Sequence, residues 1–287
     1  LISFLRLIPE LGKYRIALPV SLSAFTGFVA GARGWETTAW WVLAGVFVLA
    51  MGASALNQVQ EVRFDRQMDR TRSRPIPSGR MRPGTALLIA LILILLGSLI
   101  LLWGCGWLSM VLGLLTILWY NVIYTYLKRI TAFAVVPGSV VGALPPLIGW
   151  AASGVSLAEP AAHSLAVFFF IGQIPHFWLI ILSIGKQYEE AGYPSLSAVL
   201  SRRQIGRLTL VWVITAGISA LFLPVYGSIH TAWMSWALVA AVSWLIIGFL
   251  RMARPGLEHL SPRKGFIRLN LFVLGVMMMI WMDALLW

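Results

Sequence analysis

The chain has 287 residues, 59% hydrophobic and only 11% charged, with a mean hydropathy of +0.85; soluble domains carry roughly 25% charged residues, so a water-soluble fold is excluded. A net charge of +12 would suit nucleic acid in a soluble protein, but here the basic residues sort by membrane side, and no nucleic-acid partner is expected. Period-2 alternation is missing from the apolar runs, which argues against a transmembrane barrel.

Apolar runs long enough to cross a hydrocarbon core of about 30 Å begin near Ile16, Trp40, Ala86, Trp107, Phe133, Ala162, Leu208, Trp233 and Phe266, predicting nine helices with the termini on opposite sides. All 22 lysines and arginines except Arg33 fall in the N-terminal segment or in the second, fourth, sixth and eighth loops. The positive-inside rule therefore puts the N-terminus and those loops on the cytoplasmic side. Cys105 is the only cysteine, so no internal disulfide can form. No low-complexity stretch or fixed-period repeat interrupts the pattern, and one membrane domain over 1–287 is expected.

The second span ends in the richest polar segment. Asn57, Glu61 and Asp65 recur every fourth residue, a spacing that drifts only about 40° per step and keeps three oxygen-bearing side chains on one helical face. Such a face suits a hard cation, and Arg70, Arg72 and Arg74 directly after it suit an oligophosphate. A plainer role, charged residues capping the helix and pairing on the surface, is open to the same segment. Asn57 tips the reading toward function, because an amide inside the membrane end of a helix needs a partner. Asp69 lies about 120° around the helix from Asn57 and is expected to pair with an arginine.

At the end of the fourth span, Tyr124, Lys128 and Arg129 fit either an interfacial belt with snorkelling cations or a functional cluster, and Asn121 and Tyr124 fall about one turn apart inside the span. The fifth span carries Gly138, Gly142, Pro145, Pro146 and Gly149, a pattern for a broken or kinked helix whose small residues serve either close helix packing or room for something large. In the sixth, His176 sits beside Phe177 and Trp178, and the alternative to a ligand role is a hydrogen bond to a neighbouring helix. Beyond it come Lys186, Gln187, Glu189 and Glu190, an acidic pair available to a site between two membrane-edge loops.

Four blocks in order, Asn57-x3-Glu61-x3-Asp65-x2-Met68-x-Arg70-Thr71-x2-Arg74-Pro75, Leu127-Lys128-Arg129-x-Thr131, Gly142 through Ala151, and Pro175-His176-Phe177-Trp178, resemble the UbiA superfamily of intramembrane prenyltransferases, and within it the heme O synthase branch. The resemblance covers nearly the whole chain. It implies an all-α membrane protein, a nine-helix bundle around a central cavity, in a prokaryotic cytoplasmic membrane with the active-site mouth on the cytoplasmic side. It further implies Mg²⁺ as cofactor, held by Asn57, Glu61 and Asp65 with Glu189 or Glu190. Farnesyl diphosphate would be bound by Arg70, Arg74, Lys128, Arg129 and Lys186, and heme B would be the acceptor. Asn121, Tyr124, Gly142, Trp150, His176, Phe177 and Trp178 would line the prenyl and acceptor pocket.

The chain also departs from that pattern. Glu61 stands where the family normally has Asp, Arg63 replaces another Asp, Ala134 replaces an Asn, and Lys186 and Gln187 occupy the place of an Asp pair. An aromatic or quinone precursor is the alternative acceptor. A cation-coupled transporter is the reading from another class, weakened by acids gathered at one membrane edge and by the missing repeat.

Overall fold

The structure, a computed structural model, describes residues 6–253, 256 and 260–286. Among them, nine helices are long and apolar enough to cross a membrane. They are α1 Tyr14–Ala32, α2 Thr37–Gln60, α3 Pro83–Cys105, α4 Trp107–Leu127, α5 Ala132–Ala152, α6 Pro160–Glu190, α7 Arg202–Val225, α8 Ala232–Ala253 and α9 Pro262–Leu286. Most begin a few residues before the apolar run because their first turns are polar or proline-led. α7 is the clearest case: Ser201 and Gln204 form a reciprocal capping box that starts the helix well ahead of Leu208.

Glycines set how closely these helices approach. Without hydrophobic drive between helices in lipid, packing rests on small residues that let backbones meet. A Cβ on Gly149 would lie 1.8 Å from the Ala24 carbonyl oxygen, and one on Gly27 would lie 1.9 Å from that of Pro146, so α1 and α5 cross backbone to backbone. Gly97 of α3 meets the Leu49 backbone of α2 in the same way. Gly142 corrects an expectation: the space above it is not a slot for a ligand, since Gln173 and the Phe169 carbonyl of α6 lie 3.0 and 3.1 Å from where its Cβ would be. A missing side chain at a helix contact is filled by the neighbouring helix, which gains dispersion contacts by closing in. The break in α5 falls at Ser139, upstream of the two prolines, which both lie within the helix Val140–Ala152.

Among the described residues, the two largest of five apolar clusters hold most of the bundle. Phe25, Phe28, Val42, Val46, Leu49 and Ile148 bury the contacts around α1 and α2, and Phe168, Leu179, Val213, Leu238, Phe249 and Phe272 those of α6 to α9. At one membrane face, Asp283 near the end of α9 accepts the backbone N–H groups of His230 and Thr231 at 2.7 and 2.9 Å, anchoring the α7–α8 turn. The polar site lies at the other face.

Candidate active site

The ends of α2, α4 and α6 and the starts of α1, α5 and α7 meet at that face, and the acidic motif lies among them. α2 stops at Gln60, and Glu61 has φ −110° and ψ 8° before a short helix, Val62–Asp65, resumes. The expected uninterrupted helical face is therefore broken at its middle member. The Gln60 carbonyl is turned to the Arg129 guanidinium at 3.0 Å, and the Gln60 side chain bonds the backbone and amide of Asn121. Asn121 on α4 and Arg129 just beyond it thus hold the end of α2. The Glu61 N–H still bonds the Asn57 carbonyl and the Asp65 N–H the Glu61 carbonyl, so the three side chains remain one turn apart.

All three are buried, and each meets a cation. The Lys13 ammonium donates to Asn57 Oδ1 at 3.1 Å. Lys128 Nζ lies 2.6 Å from Glu61 Oε1. Arg74 Nη1 donates to both oxygens of Asp65, at 2.8 and 2.7 Å. The Asn57 amide N–H group bonds Thr125 Oγ1, and Tyr193 donates its phenol to Glu61 Oε1 at 2.7 Å. Asp69, by contrast, pairs with Arg72 on the surface at 3.2 Å, and Arg70 is exposed at the rim.

The electrostatics follow from burial and charge. Burial pushes the Glu61 carboxyl up, but the Lys128 ammonium, the Tyr193 hydroxyl and Lys13 outweigh it and hold the group below the usual carboxylate range. Burial, joined by Arg74, pulls Lys13 down to about 7 against the opposing pull of Glu61 and Asp65. Burial and the nearby Glu61 charge push Tyr193 up, so it stays a donor. The side chain of Arg129 lies between Phe64 and Tyr126, 5.1 and 4.7 Å from the ring centres, and its buried Nε has no partner among the described residues.

Beneath the cations runs an aromatic column. Tyr124 stacks on Phe177 with ring centres 5.5 Å apart and on Tyr120 at 6.1 Å, and Lys128 lies 5.5 Å from the Tyr124 ring centre. A π-helical stretch, Leu118–Tyr124, presents Tyr124 there and directs Asn121 to the Ala53 carbonyl of α2; such widened turns recur at functional sites. Beyond Phe177, His176 Nδ1 lies 3.1 Å from Asn270 Oδ1 of α9.

Other expected members are not brought in. Trp150 is buried at the far end of α5, its Nε1 donating to the Ser156 carbonyl, because its indole completes the core packing there. Trp178 turns to the other side of α6, edge-on to Trp212 of α7, since consecutive helical residues point about 100° apart. Glu189 and Glu190 are exposed, and Glu189, in the last turn of α6, accepts a hydrogen bond from Ser197 in the loop that follows. Gln187 has a buried, unpartnered Oε1, and the Lys186 side chain lies outside the described residues. Lys13 and Tyr193 are the members that sequence reasoning missed. Lys13 counted only as a topology charge, although a lone lysine after Gly12 at the membrane edge was a usable signal; Tyr193, in a loop beyond α6, offered none.

One cavity beside Lys128, bounded by Tyr124, Thr131, Ala134, Tyr188 and Leu196, is about 10 Å³, room for one water. The acidic motif lies beside this cavity and does not line it. Its donor chemistry fits a hard cation such as Mg²⁺, which takes carboxylate and amide oxygens together with phosphate oxygens. Among the described residues, no three His, Cys, Asp or Glu side chains cluster as a metal site, so protein oxygens would form only part of the ligand set.

Paired, buried acids, surplus cations and an aromatic column thus lie together at one edge of a membrane-helix bundle. The model of the UbiA prenyltransferase family matches residues 20–281, and the chain belongs to that family. The protoheme IX farnesyltransferase of Oleidesulfovibrio alaskensis is 36% identical over 284 residues, covering 98% of this chain and 97% of the relative. That of Geobacter sulfurreducens is 37% identical, covering 83% and 87%. A solved UbiA homolog from Archaeoglobus fulgidus, bound to GPP and Mg²⁺, shares the fold with a TM-score of 0.73 over 98% of each chain at 13% identity.

Proposed function

We propose that this chain transfers the farnesyl group of farnesyl diphosphate to a vinyl group of heme B, giving heme O, at the cytoplasmic face of a prokaryotic inner membrane. The observation that carries the reading is the junction of the cation-rich mouth with the Tyr124–Phe177 stack and His176. A farnesyl tail dissolves in the bilayer while its diphosphate stays at the interface, so chemistry joining them belongs at this depth. Asn57, Glu61 and Asp65 would hold Mg²⁺, which supplies charge neutralisation to the leaving diphosphate. Arg70, Arg74, Lys128 and Arg129 would bind its oxygens, with Lys186 as a further point charge and Lys13 added from the structure. Cleavage of the C1–O bond leaves an allylic cation, which the faces of Tyr124 and Phe177 stabilise while excluding water. The terminal vinyl carbon would then form the C–C bond, leaving a cation at the inner carbon, to which water adds with loss of a proton to give the hydroxyethylfarnesyl substituent.

His176 supports heme as the acceptor. The Asn270 amide nitrogen donates to the Phe266 carbonyl at 2.6 Å, so its oxygen faces His176 and accepts the Nδ1 proton. That tautomer leaves the Nε2 lone pair free for an iron, the usual arrangement of a ligating histidine.

The test is mass spectrometry of hemes after expression in a strain lacking heme O synthase, with purified protein assayed with and without EDTA. Heme O is expected only from the active protein with Mg²⁺. Prenylated 4-hydroxybenzoate with no heme product would move the reading to the quinone branch.

A further inference from the structure

Resting on that reading of the site, we propose that the free protein binds the diphosphate anion before the divalent cation, with Lys13, Lys128 and Arg74 as place-holders that transfer from the metal-ligand side chains to phosphate oxygens. Three independent contacts carry this. The amide oxygen of Asn57 holds Lys13, the carboxylate of Glu61 holds Lys128, and both oxygens of Asp65 hold Arg74. Each of these three oxygen-bearing side chains is therefore already occupied by a basic side chain, and the two carboxylates by full ion pairs.

The charge balance points the same way. Among the described residues, Lys13, Arg70, Arg74, Lys128 and Arg129 share the mouth with two buried carboxylates, Glu61 and Asp65, an excess of basic groups even with Lys13 neutral. A divalent cation arriving alone meets net repulsion and must break a buried ion pair for each carboxylate it takes. A diphosphate arriving alone meets attraction, and Arg129 brings a buried Nε without a partner. Moving Lys128 to a phosphate oxygen frees Glu61 for a metal. Tyr193, donating to the same Oε1, keeps the carboxylate from following the lysine and so acts as a positioning residue. A cation arriving next would draw its remaining ligands from phosphate oxygens, since no three His, Cys, Asp or Glu side chains cluster as a metal site among the described residues.

The experiment is calorimetric titration of the full chain in detergent micelles with inorganic pyrophosphate in EDTA, with MgCl2 alone, and with both. Pyrophosphate is expected to bind without metal and about tenfold or more tightly with Mg²⁺, while Mg²⁺ alone gives no saturable binding at the concentrations that saturate the ternary complex; linkage requires the two enhancements to be equal. Lys128→Gln is expected to weaken metal-free pyrophosphate binding about tenfold and to admit Mg²⁺ alone. Should that variant fail to fold, the wild-type titrations decide. Saturable Mg²⁺ binding to the free protein, or pyrophosphate binding only when Mg²⁺ is present, overturns the order while leaving the site in place. Absence of pyrophosphate binding under every condition overturns the order together with the reading of the site.

Discussion

The Arg74–Asp65 pair allows the sharpest test of how the mouth is held together. Asp65 is 2% exposed and Arg74 21%, so Arg74→Ala strands a carboxylate that cannot reach bulk water. Breaking a buried pair from one side costs about 3–5 kcal/mol, and the partial exposure of Arg74 puts the expectation near the lower end. At roughly 2–4 °C per kcal/mol for a chain of this order of size, Tm should fall by about 6–12 °C, read by tryptophan fluorescence in detergent micelles. Replacing Asp65 with Asn in the same molecule removes the stranded charge and should restore about 1–2 kcal/mol of the loss, a coupling that a double-mutant cycle isolates. Asp69→Asn, whose arginine pair is exposed, serves as the control and should melt with wild type. A double variant no more stable than Arg74→Ala, or Arg74→Ala melting within about a degree of wild type, would refute the account of Asp65 as a buried, pair-dependent charge.

Lys13 should give the protein an alkaline rise in stability. Its folded value of about 7 lies below the ordinary 10.5, so between these values the unfolded chain binds more protons and stability climbs with pH. Wild type measured against Lys13→Met should show that rise in Tm across this window, and a flat difference would disprove the shift. Gly149→Ala puts a methyl carbon into the Ala24 carbonyl, and forcing two helix backbones apart should exceed the usual 1–3 kcal/mol of overpacking. Gly84→Ala, with open space around its Cβ position, should leave the melting curve unchanged; equal effects of the two would undo the packing argument.

Hydropathy exposed the nine spans because lipid imposes length and apolarity on each helix separately, and the fourfold spacing of Asn57, Glu61 and Asp65 was readable because it is local. What stayed hidden was non-local. Lys13 reaches Asn57 across 44 residues and Tyr193 reaches Glu61 across 132, and no periodicity encodes such pairings. Gly142 and Trp150 were misjudged for a related reason. A small residue states that something comes close, without stating whether that is a ligand or another helix, and Trp150 lies most of a membrane thickness along α5 from Ala132. Glu61 shows a third limit: its helical spacing predicted continuity, but partners on α4 and just beyond it fixed the end of α2.

The widened turn at Leu118–Tyr124 sets the rotational phase of everything after it. A π turn accommodates an extra residue relative to a regular helix, and each residue of an α-helix advances the side-chain direction by about 100°. In that phase Thr125 meets Asn57, Lys128 meets Glu61 and Arg129 meets the Gln60 carbonyl. The chain therefore carries the aim of its cations as a count of residues, upstream of the cations themselves. Losing one residue from the stretch would leave the membrane span intact while turning Lys128 away from Glu61.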